Sequence, residues 1–306
     1  MFQTSRRALS RTELLASIVL ASALGAVVIA SGARRVWPDE SLNKLRIIGA
    51  ATATYQADNY GYTPMVMSKN PRGFTPPNSG WCTWAFGGKN NNGPFWYPYA
   101  GGVFDVEAAD RPLNAYTMPG TVFYAPPLPG RLPMNHSERL SAQAEIYRDP
   151  ADNRTFQRNW PNPTPGVSCY DDIGTSYQTN MEWWSQNFQP GGFEAHFNEG
   201  TRRIATGEYL NPARFVWLTD QFQSIVNNNF SDGFTIVNDY GDTNMSVMLF
   251  LDGHSDYHTV FPGSDPEDYH TPDYDLRFVS REASRPATSP GSHMIAPPTS
   301  TRRPAR

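Results

Sequence analysis

Residues 14–33, LLASIVLASALGAVVIASGA, carry no charge, and the chain soon continues into residues 41–64, SLNKLRIIGAATATYQADNYGYTP. An α-helix rises about 1.5 Å per residue, so the uncharged run would span about 30 Å, the thickness of membrane hydrocarbon. The run is apolar on every side, whereas a core helix usually keeps one polar face. The pattern predicts one long helix that crosses a membrane in residues 9–33 and then enters a soluble domain.

The soluble half of this helix, within residues 34–64, is predicted from the spacing of its apolar and small residues. One helical stripe contains Leu42, Leu45, Gly49, Thr52 and Tyr55. The segment then carries helix-stop signals: Asp58, Asn59, Gly61 and Pro64. Pro38 lacks an amide donor, so we expect a kink where the two halves meet.

A cleaved export signal is the alternative interpretation of the amino terminus. Residues 5–7 (SRR) look like part of a twin-arginine signal, and the small residues 30–33 (ASGA) suit a cleavage site. Arginines flank the apolar run on both sides, so the flanking charge does not set its orientation. In this alternative the mature chain is an exported soluble protein that begins near Arg34.

Glu13 favours the membrane-helix interpretation. A carboxylate at the edge of a hydrocarbon span is costly and therefore suggests a partner. An export signal has no use for an acid at this position. A span that packs against copies of itself could pair Glu13 with the positive amino terminus of a neighbouring copy.

These features resemble the amino termini of type IV pilins and type II secretion pseudopilins. The resemblance implies cleavage by a prepilin peptidase between Ala8 and Leu9, N-methylation, and Glu13 as the fifth mature residue. The family usually has Gly before the cut and Phe after it. The resemblance also implies a single-pass protein of the bacterial inner membrane with an extracytoplasmic head. It would associate with itself or with other pilin-like subunits.

A second resemblance, to a pseudopilin-like group typical of planctomycetes, extends along the chain. Two features near the amino terminus are similar to that group: the stretch LNKLRIIG at 42–49 and the helix-stop pattern that ends at Pro64. The similarity continues later in the chain at residues 111–116, 147–152, 176–180 and 247–254. Many members carry His, nine residues and then Asp-Gly. Asp242 occupies that His position here.

The predicted fold class is α+β, with the long helix packed on a mostly antiparallel β head with long loops. The predicted segments are a leader at 1–8, the two helix halves, a head at 65–281 and a disordered Ser/Pro/Arg tail at 282–306. Asp252-Gly253 favours a hairpin turn. Strands are predicted at Ile146, 176–182, 215–218, 233–238, 246–251 and 254–261, and a short helix at 106–116.

Composition excludes some partners and leaves the state of the cysteines open. The net charge is only −4, which gives no general attraction for nucleic acid. Cys82 and Cys169 are the two cysteines of the chain. They could form a disulfide in an oxidising compartment or remain buried thiols.

Two groups of residues are candidate metal ligands. His254, Asp256 and His258 would share one strand face and could bind a divalent transition metal, or they could be a solvated hairpin face. Candidate oxygen ligands for calcium, a cofactor that some pseudopilins hold in a late loop, are Asp220, Asp232, Asp239, Asp242, Asn244 and Asp252. Asp and Asn are also ordinary turn formers.

An aromatic stretch suggests either a binding surface or a core under loops. It contains Trp81, Trp84, Phe86, Phe95, Trp96, Tyr97 and Tyr99. Known catalytic patterns are missing, so we expect a non-enzymatic protein. The alternative function is an exported carbohydrate-binding or hydrolytic protein.

Overall fold

The computed structural model describes residues 38–69, 79–80, 82–91, 95–96, 104–123, 137–185, 193–208, 211–229, 231–263 and 265–279. These residues form a mixed α+β structure with antiparallel sheets, as predicted. No helix within these ranges is both long enough and apolar enough to span a bilayer. The predicted leader, the membrane half at 9–33, the tail, and the residues Ala8, Leu9 and Glu13 lie outside the described residues.

The regular elements are mostly short. The helices are α1 at 38–58, α2 Asn114–Thr117, α3 Ser137–Ser141, α4 Cys169–Ile173, α5 Glu182–Ser185, α6 Phe193–Ala205 and α7 Gln221–Asn227. The strands are β1 Ser68–Lys69, β2 Ser79–Gly80, β3 Arg154–Thr155, β4 Thr164–Pro165, β5 Tyr177–Thr179, β6 Val216–Asp220, β7 Met245–Phe250 and β8 Ser255–Thr259. Single 3₁₀ turns occupy Ala108–Asp110, Glu145–Tyr147 and Pro266–Tyr269.

The central element is a four-stranded antiparallel sheet in the order β5-β6-β7-β8. Strand β7 is buried on both faces, and its side chains alternate between two apolar clusters. Val247 and Leu249 belong to the cluster that includes α1, and Met248 and Phe250 belong to the cluster on the other face. The predicted hairpin is confirmed: Gly253, at a φ of 90° in the β7–β8 turn, donates from its backbone N to the carbonyl of Phe250 at 3.0 Å.

Helix α1 covers one face of the sheet with the predicted stripe. Leu45 and Ile48 are fully buried and pack in the same cluster as Leu249. The Ser255 hydroxyl of β8 donates to the carbonyl oxygen of Leu42 at 2.8 Å. The predicted stop is also confirmed, because α1 ends at residue 58 and Gly61 follows with a φ of 83°.

Several sequence predictions inside the head are wrong. Ile146 lies in the 3₁₀ turn Glu145–Tyr147 rather than in a strand, because buried Tyr147 anchors a tight turn there. Residues 233–238 pair only through one isolated bridge, Val237 to Thr243. The predicted helix at 106–116 is two short turns, since Pro112 interrupts it.

Helices α3 to α7 were not predicted, and the two longest of them are α6 and α7. Helix α7 follows β6 without a loop, because Asp220 ends the strand and caps the helix through the backbone N of Phe222 at 2.9 Å. Helix α6 has a mostly polar sequence with Gly200 inside it, and Phe197 and Ile204 pack in an apolar cluster of the core.

The tightest contact between α1 and the sheet predicts the effect of a substitution at Gly49. A Cβ at this position would lie 2.9 Å from Cδ1 of Leu249 and 3.0 Å from the backbone of Gly253. Gly49→Val should lower the free energy of unfolding by about 2 kcal/mol, because overpacking separates helix and sheet. The matched control is Ala50→Val on the exposed side of the same turn. Equal denaturation midpoints for the two variants would contradict this close packing.

Candidate functional site

An aromatic cavity of about 510 Å³ lies in the described part of the chain. Its size falls within the range of about 300–1,000 Å³ that is usual for small-molecule sites. Loops and turns carry most of its walls, and β5, α5 and α7 contribute Gln178, Trp184 and Ser224. The described residues that line it are Cys82, Thr83, Trp84, Phe95, Trp96, Phe104, Gln157, Trp160, Gln178, Met181, Trp184, Ser224 and Asn228.

One wall of the aromatic cavity is a set of rings packed on each other. The ring centroids of Trp84 and Trp96 lie 5.6 Å apart at an interplanar angle of 60°. Phe104 stacks on Trp84 at 5.9 Å, and Phe95 meets Trp96 edge-on at 5.0 Å. Such offset and edge-to-face contacts are favourable for aromatic pairs, so the wall has a defined shape before any ligand arrives.

A buried carboxylate fixes the orientation of Trp96. The Trp96 indole Nε1 donates to Asp172 Oδ1 at 2.7 Å. Asp172 is fully buried and also accepts from the Thr155 hydroxyl at 2.8 Å and from Arg158 Nε at 2.7 Å. The carboxylate is therefore engaged behind the wall, where it positions a ring of the cavity.

The remainder of the lining is neutral and partly exposed. Trp160 is 45% exposed and Phe95 is 39% exposed, so two rings are open to solvent. The described lining includes no Asp, Glu, Lys or Arg. Burial raises the pKa of the Cys82 thiol to about 12, which keeps the sulfur protonated and a poor nucleophile. The arrangement suits binding of an uncharged ligand better than acid–base or nucleophilic chemistry.

Arg111 holds the loop that carries Trp84 in place. Its guanidinium is almost fully buried and donates to the carbonyls of Gly87 at 2.9 Å, Ile173 at 3.0 Å and Val106 at 3.2 Å. It also donates to Asn91 Oδ1 at 2.7 Å. One side chain thus connects three loop segments, because a guanidinium offers five donors in a fixed plane.

Asn114 adds to this framework from the first turn of α2. Its amide donates to the carbonyls of Ala108 at 2.7 Å and Gly88 at 2.8 Å, and its Oδ1 accepts from the backbone N of Gly88 at 2.8 Å. The sequence Arg-Pro-Leu-Asn at residues 111–114 therefore has a structural role, because it holds these loops together.

An acidic cluster lies around a second cavity of about 10 Å³, roughly the size of one water molecule. Its carboxyl groups are those of Asp149, Asp152, Asp220 and Asp239. Asp152 accepts from the Ser176 hydroxyl at 2.5 Å. Asp220 was a calcium candidate in the sequence, but the structure surrounds its carboxyl with internal donors.

Burial makes these carboxyl groups hard to ionise. It raises the pKa of Asp152 to about 7 and the pKa of Asp220 to about 7. It raises the pKa of Asp239 to about 6, although Arg154 Nε lies 2.7 Å from Asp239 Oδ1 and acts in the opposite direction. Burial also raises the pKa of Asp149. Several of these groups therefore take up protons near neutral pH.

The two histidines of the β7–β8 hairpin lie on one face, as predicted. The His254 ring stacks on Phe250 with centroids 4.1 Å apart, and the His258 ring contacts the same Phe250 at 5.8 Å. His254 Nδ1 lies 2.6 Å from Asp252 Oδ1, and His258 Nε2 lies 3.5 Å from Asp256 Oδ2. Each histidine thus has its own carboxylate neighbour.

Asp242, at the position where the resembling group has His, contacts a tyrosine. Its Oδ2 accepts from the Tyr257 hydroxyl at 3.0 Å. Across the described ranges, no group of three or more His, Cys, Asp or Glu side chains is arranged to hold a metal ion. The calcium candidates divide between the acidic cluster, which contains Asp220 and Asp239, and separate loop positions.

The two cysteines are free thiols in the structure, so the disulfide interpretation is not realised here. Both are buried and belong to one apolar cluster with Trp84 and Trp96. Burial raises the pKa of Cys169 as well, and nearby Asp152 adds to the shift.

The aromatic stretch proves to be divided between core and cavity. Phe86 packs in the main core against Tyr147, whereas Trp84, Phe95 and Trp96 line the aromatic cavity. Trp81, Tyr97 and Tyr99 lie outside the described residues. Sequence reasoning missed Trp160, Gln178 and Trp184, which no motif or periodic spacing connects with the stretch.

No model of a known protein family matches the chain, and no curated protein or solved structure is significantly similar to it. The functional proposal therefore depends on the residues and geometry of this chain.

The acidic cluster predicts that stability falls as the pH rises. A carboxyl group with a raised pKa in the fold binds its proton more tightly there than in the unfolded chain, where Asp has a pKa of about 3.9. The contribution of such a group to the free energy of unfolding is greatest below about pH 3.9. It is lost as the pH rises to the pKa values of the folded chain, about 6 and about 7. Urea unfolding should therefore give a larger free energy of unfolding at about pH 5 than at about pH 8.

Substitutions separate this effect from other titrations. Asp152→Asn should reduce the pH dependence, because the amide has no proton to bind in this range. Asp256→Asn is the comparison variant, since that carboxylate is 60% exposed and lies outside the cluster. Greater stability at the higher pH in the unsubstituted chain would refute the role of the cluster.

Proposed function

We propose that the chain is a non-enzymatic, pilin-like subunit with one membrane-spanning helix and an extracytoplasmic head. It would act in an assembly of the type II secretion or type IV pilus kind, or as an anchored protein of the same architecture. The observation that supports this best is α1, which begins the described part of the chain just after the uncharged run at 14–33 and packs its apolar stripe along the sheet.

The packing of α1 suits an anchor that moves together with its head. Leu45 and Ile48 are fully buried against the sheet, and Gly49 leaves no room for a side chain. Polar contacts join the same helix to the head: the Ser41 hydroxyl donates to Asp149 Oδ2 at 3.0 Å, and Lys44 Nζ donates to the Arg148 carbonyl at 2.8 Å. Force on the preceding segment would therefore reach the head without an intervening flexible joint within α1.

The amino-terminal residues supply the assembly and processing steps of the proposal. Glu13 would pair with the Leu9 amine of a neighbouring subunit, because an unpaired carboxylate in hydrocarbon costs about 2.5 kcal/mol or more on insertion scales. Prepilin peptidase would create that amine by cutting after Ala8. The inner membrane and other pilin-like subunits are the partners in this scheme.

The second candidate is an exported soluble protein that has lost residues 1–33. The aromatic cavity favours a ligand-binding head in this case. The cavity is equally compatible with an anchored head, since none of its described lining residues belongs to α1. The two candidates therefore differ at the amino terminus rather than at the cavity.

The mature amino terminus distinguishes the two candidates. Sequencing of the purified protein should give Leu9 as the first residue of the pilin-like subunit, whereas a start near Arg34 would indicate a removed export signal. Ala8→Gly should be cut at least as well as the unsubstituted chain, because Gly is the usual residue at this site. Ala8→Phe should block cleavage and leave a longer chain on electrophoresis. Normal cleavage of the Phe variant would refute the assigned site.

Glu13→Leu separates assembly from insertion. The substitution removes the carboxylate and makes the span more apolar, so membrane insertion should persist or increase. Crosslinking between subunits in membranes should fall to the background, because the partner of the Leu9 amine is gone. Membrane abundance of the variant is the control. Undiminished crosslinking at equal abundance would show that the helix is a plain anchor.

A further inference from the structure

We propose that the aromatic cavity is a binding site for a neutral saccharide. The site lies in the head and does not depend on how the amino terminus is processed. Its walls come from segments far apart in the chain, since Trp84, Trp160 and Trp184 converge on one space of about 510 Å³.

The lining combines the two kinds of surface that a sugar ring presents. A pyranose has C–H faces that stack on aromatic rings and a rim of hydroxyl groups that donate and accept hydrogen bonds. The cavity offers four tryptophan and two phenylalanine rings, and neutral polar groups lie between them: Thr83, Gln157, Gln178, Ser224 and Asn228. Small-molecule sites generally have this composition of apolar walls and a few polar groups.

Other ligand classes fit this lining less well. A purely apolar ligand would make no use of the amide and hydroxyl groups that lie between the rings, and any of them that lost water without gaining a hydrogen bond would cost free energy. A charged ligand would find no opposite charge, because the described lining contains no ionisable Asp, Glu, Lys or Arg side chain. The ligand class that fits the lining is therefore an uncharged molecule with apolar faces and many hydroxyl groups. A neutral saccharide is such a molecule.

The rings are held in position before binding, which reduces the entropy lost on binding. Asp172 holds Trp96 by the hydrogen bond of 2.7 Å, and Trp84 packs between Trp96 and Phe104. The Thr83 hydroxyl donates to Gln178 Oε1 at 3.0 Å, so this amide oxygen is also oriented. Trp160, at 45% exposure, remains accessible to a ligand that approaches from solvent.

The site binds and does not hydrolyse. Glycoside hydrolysis generally requires a pair of carboxyl groups that flank the bond. The described residues that line the cavity include no carboxyl group, and Asp172 lies behind the wall with its oxygens occupied by Trp96, Thr155 and Arg158.

Isothermal titration calorimetry tests this proposal on the full-length chain in a detergent without a sugar head group. The neutral probes are cellohexaose, maltohexaose and the hexamer of N-acetylglucosamine. Hexagalacturonate is the charged probe, and the uncharged peptide Phe-Leu-Phe with blocked ends is the apolar probe. We expect at least one neutral hexasaccharide to bind and both comparison probes to bind at least about tenfold more weakly.

Three substitutions locate the binding. Trp160→Ala removes a half-exposed ring and should weaken hexasaccharide binding about tenfold. Ser224→Phe fills part of the cavity with a ring and keeps all of its aromatic residues, so it should also weaken binding and serves as the test if Trp160→Ala fails to fold. Tyr62→Ala is the matched control, because Tyr62 is 43% exposed and does not line the cavity.

The outcomes separate the saccharide from other occupants. Binding that the first two variants weaken and the control preserves supports the site. No binding of any neutral hexasaccharide, or binding that both variants leave intact, overturns it. Tight binding of the peptide alone would replace the saccharide with a protein partner. None of these results depends on cleavage after Ala8 or on crosslinking through Glu13, so the anchor proposal stands or falls separately.

Discussion

The carboxyl group of Asp149 connects the amino-terminal helix to the rest of the head. It accepts a hydrogen bond from the Ser41 hydroxyl of α1 and another from the Tyr240 hydroxyl, and it also accepts from the backbone N of Ala151 at 2.8 Å. Ser41 in turn lies 2.7 Å from the Tyr177 hydroxyl of β5. The helix, the middle of the chain and the sheet thus meet at one buried carboxyl group. Its loss would take a hydrogen-bond partner from the buried Tyr240 hydroxyl and from the backbone N of Ala151.

Polar side chains stabilise the loops of this head through hydrogen bonds to the backbone, whereas apolar side chains stabilise the sheet by packing. The Asn180 amide donates to the carbonyls of Val216 at 3.0 Å and Leu276 at 2.9 Å, so it joins the end of β5 to two distant segments. Arg111 and Asn114 have similar roles on the other side. A chain with 24 Gly and 27 Pro forms few long elements, and its loop backbone needs partners of this kind. The short motifs along the chain are therefore explained by structure before any ligand is considered.

The elements that sequence reasoning predicted best are those with a regular spacing. The stripe through Leu45 and the stop at Gly61 both follow from helix geometry, and the Asp252-Gly253 turn follows from its dipeptide. These signals are local, so a single sequence contains them in full. Among the missed helices, α7 lacked such a signal, since it starts directly after the last residue of β6. Helix α6 does carry an apolar spacing at Phe193, Phe197 and Ile204, but the polar residues and Gly200 between them obscure it.

The candidate sites were harder to predict because they are made by folding. Trp84, Trp160 and Trp184 lie in separate segments, and only the packing of loops brings them to one cavity. The acidic cluster has the same origin, since Asp149 and Asp220 come from different parts of the chain. The hairpin histidines were placed correctly on one face, because alternation along a strand depends on local geometry alone.

The position of α1 determines where a protease can cut the chain without disrupting the packing of the head. The main apolar cluster includes side chains of α1 from Leu42 to Ala51. A protease that cut between these residues would therefore release part of the helix from one face of the sheet and expose Leu249. A cut ahead of residue 38 would leave α1 packed on the sheet. Any fragment released by such a cut would therefore carry α1 along, and its exposed start would present Asp39 beside the ion pair of Glu40 and Lys44.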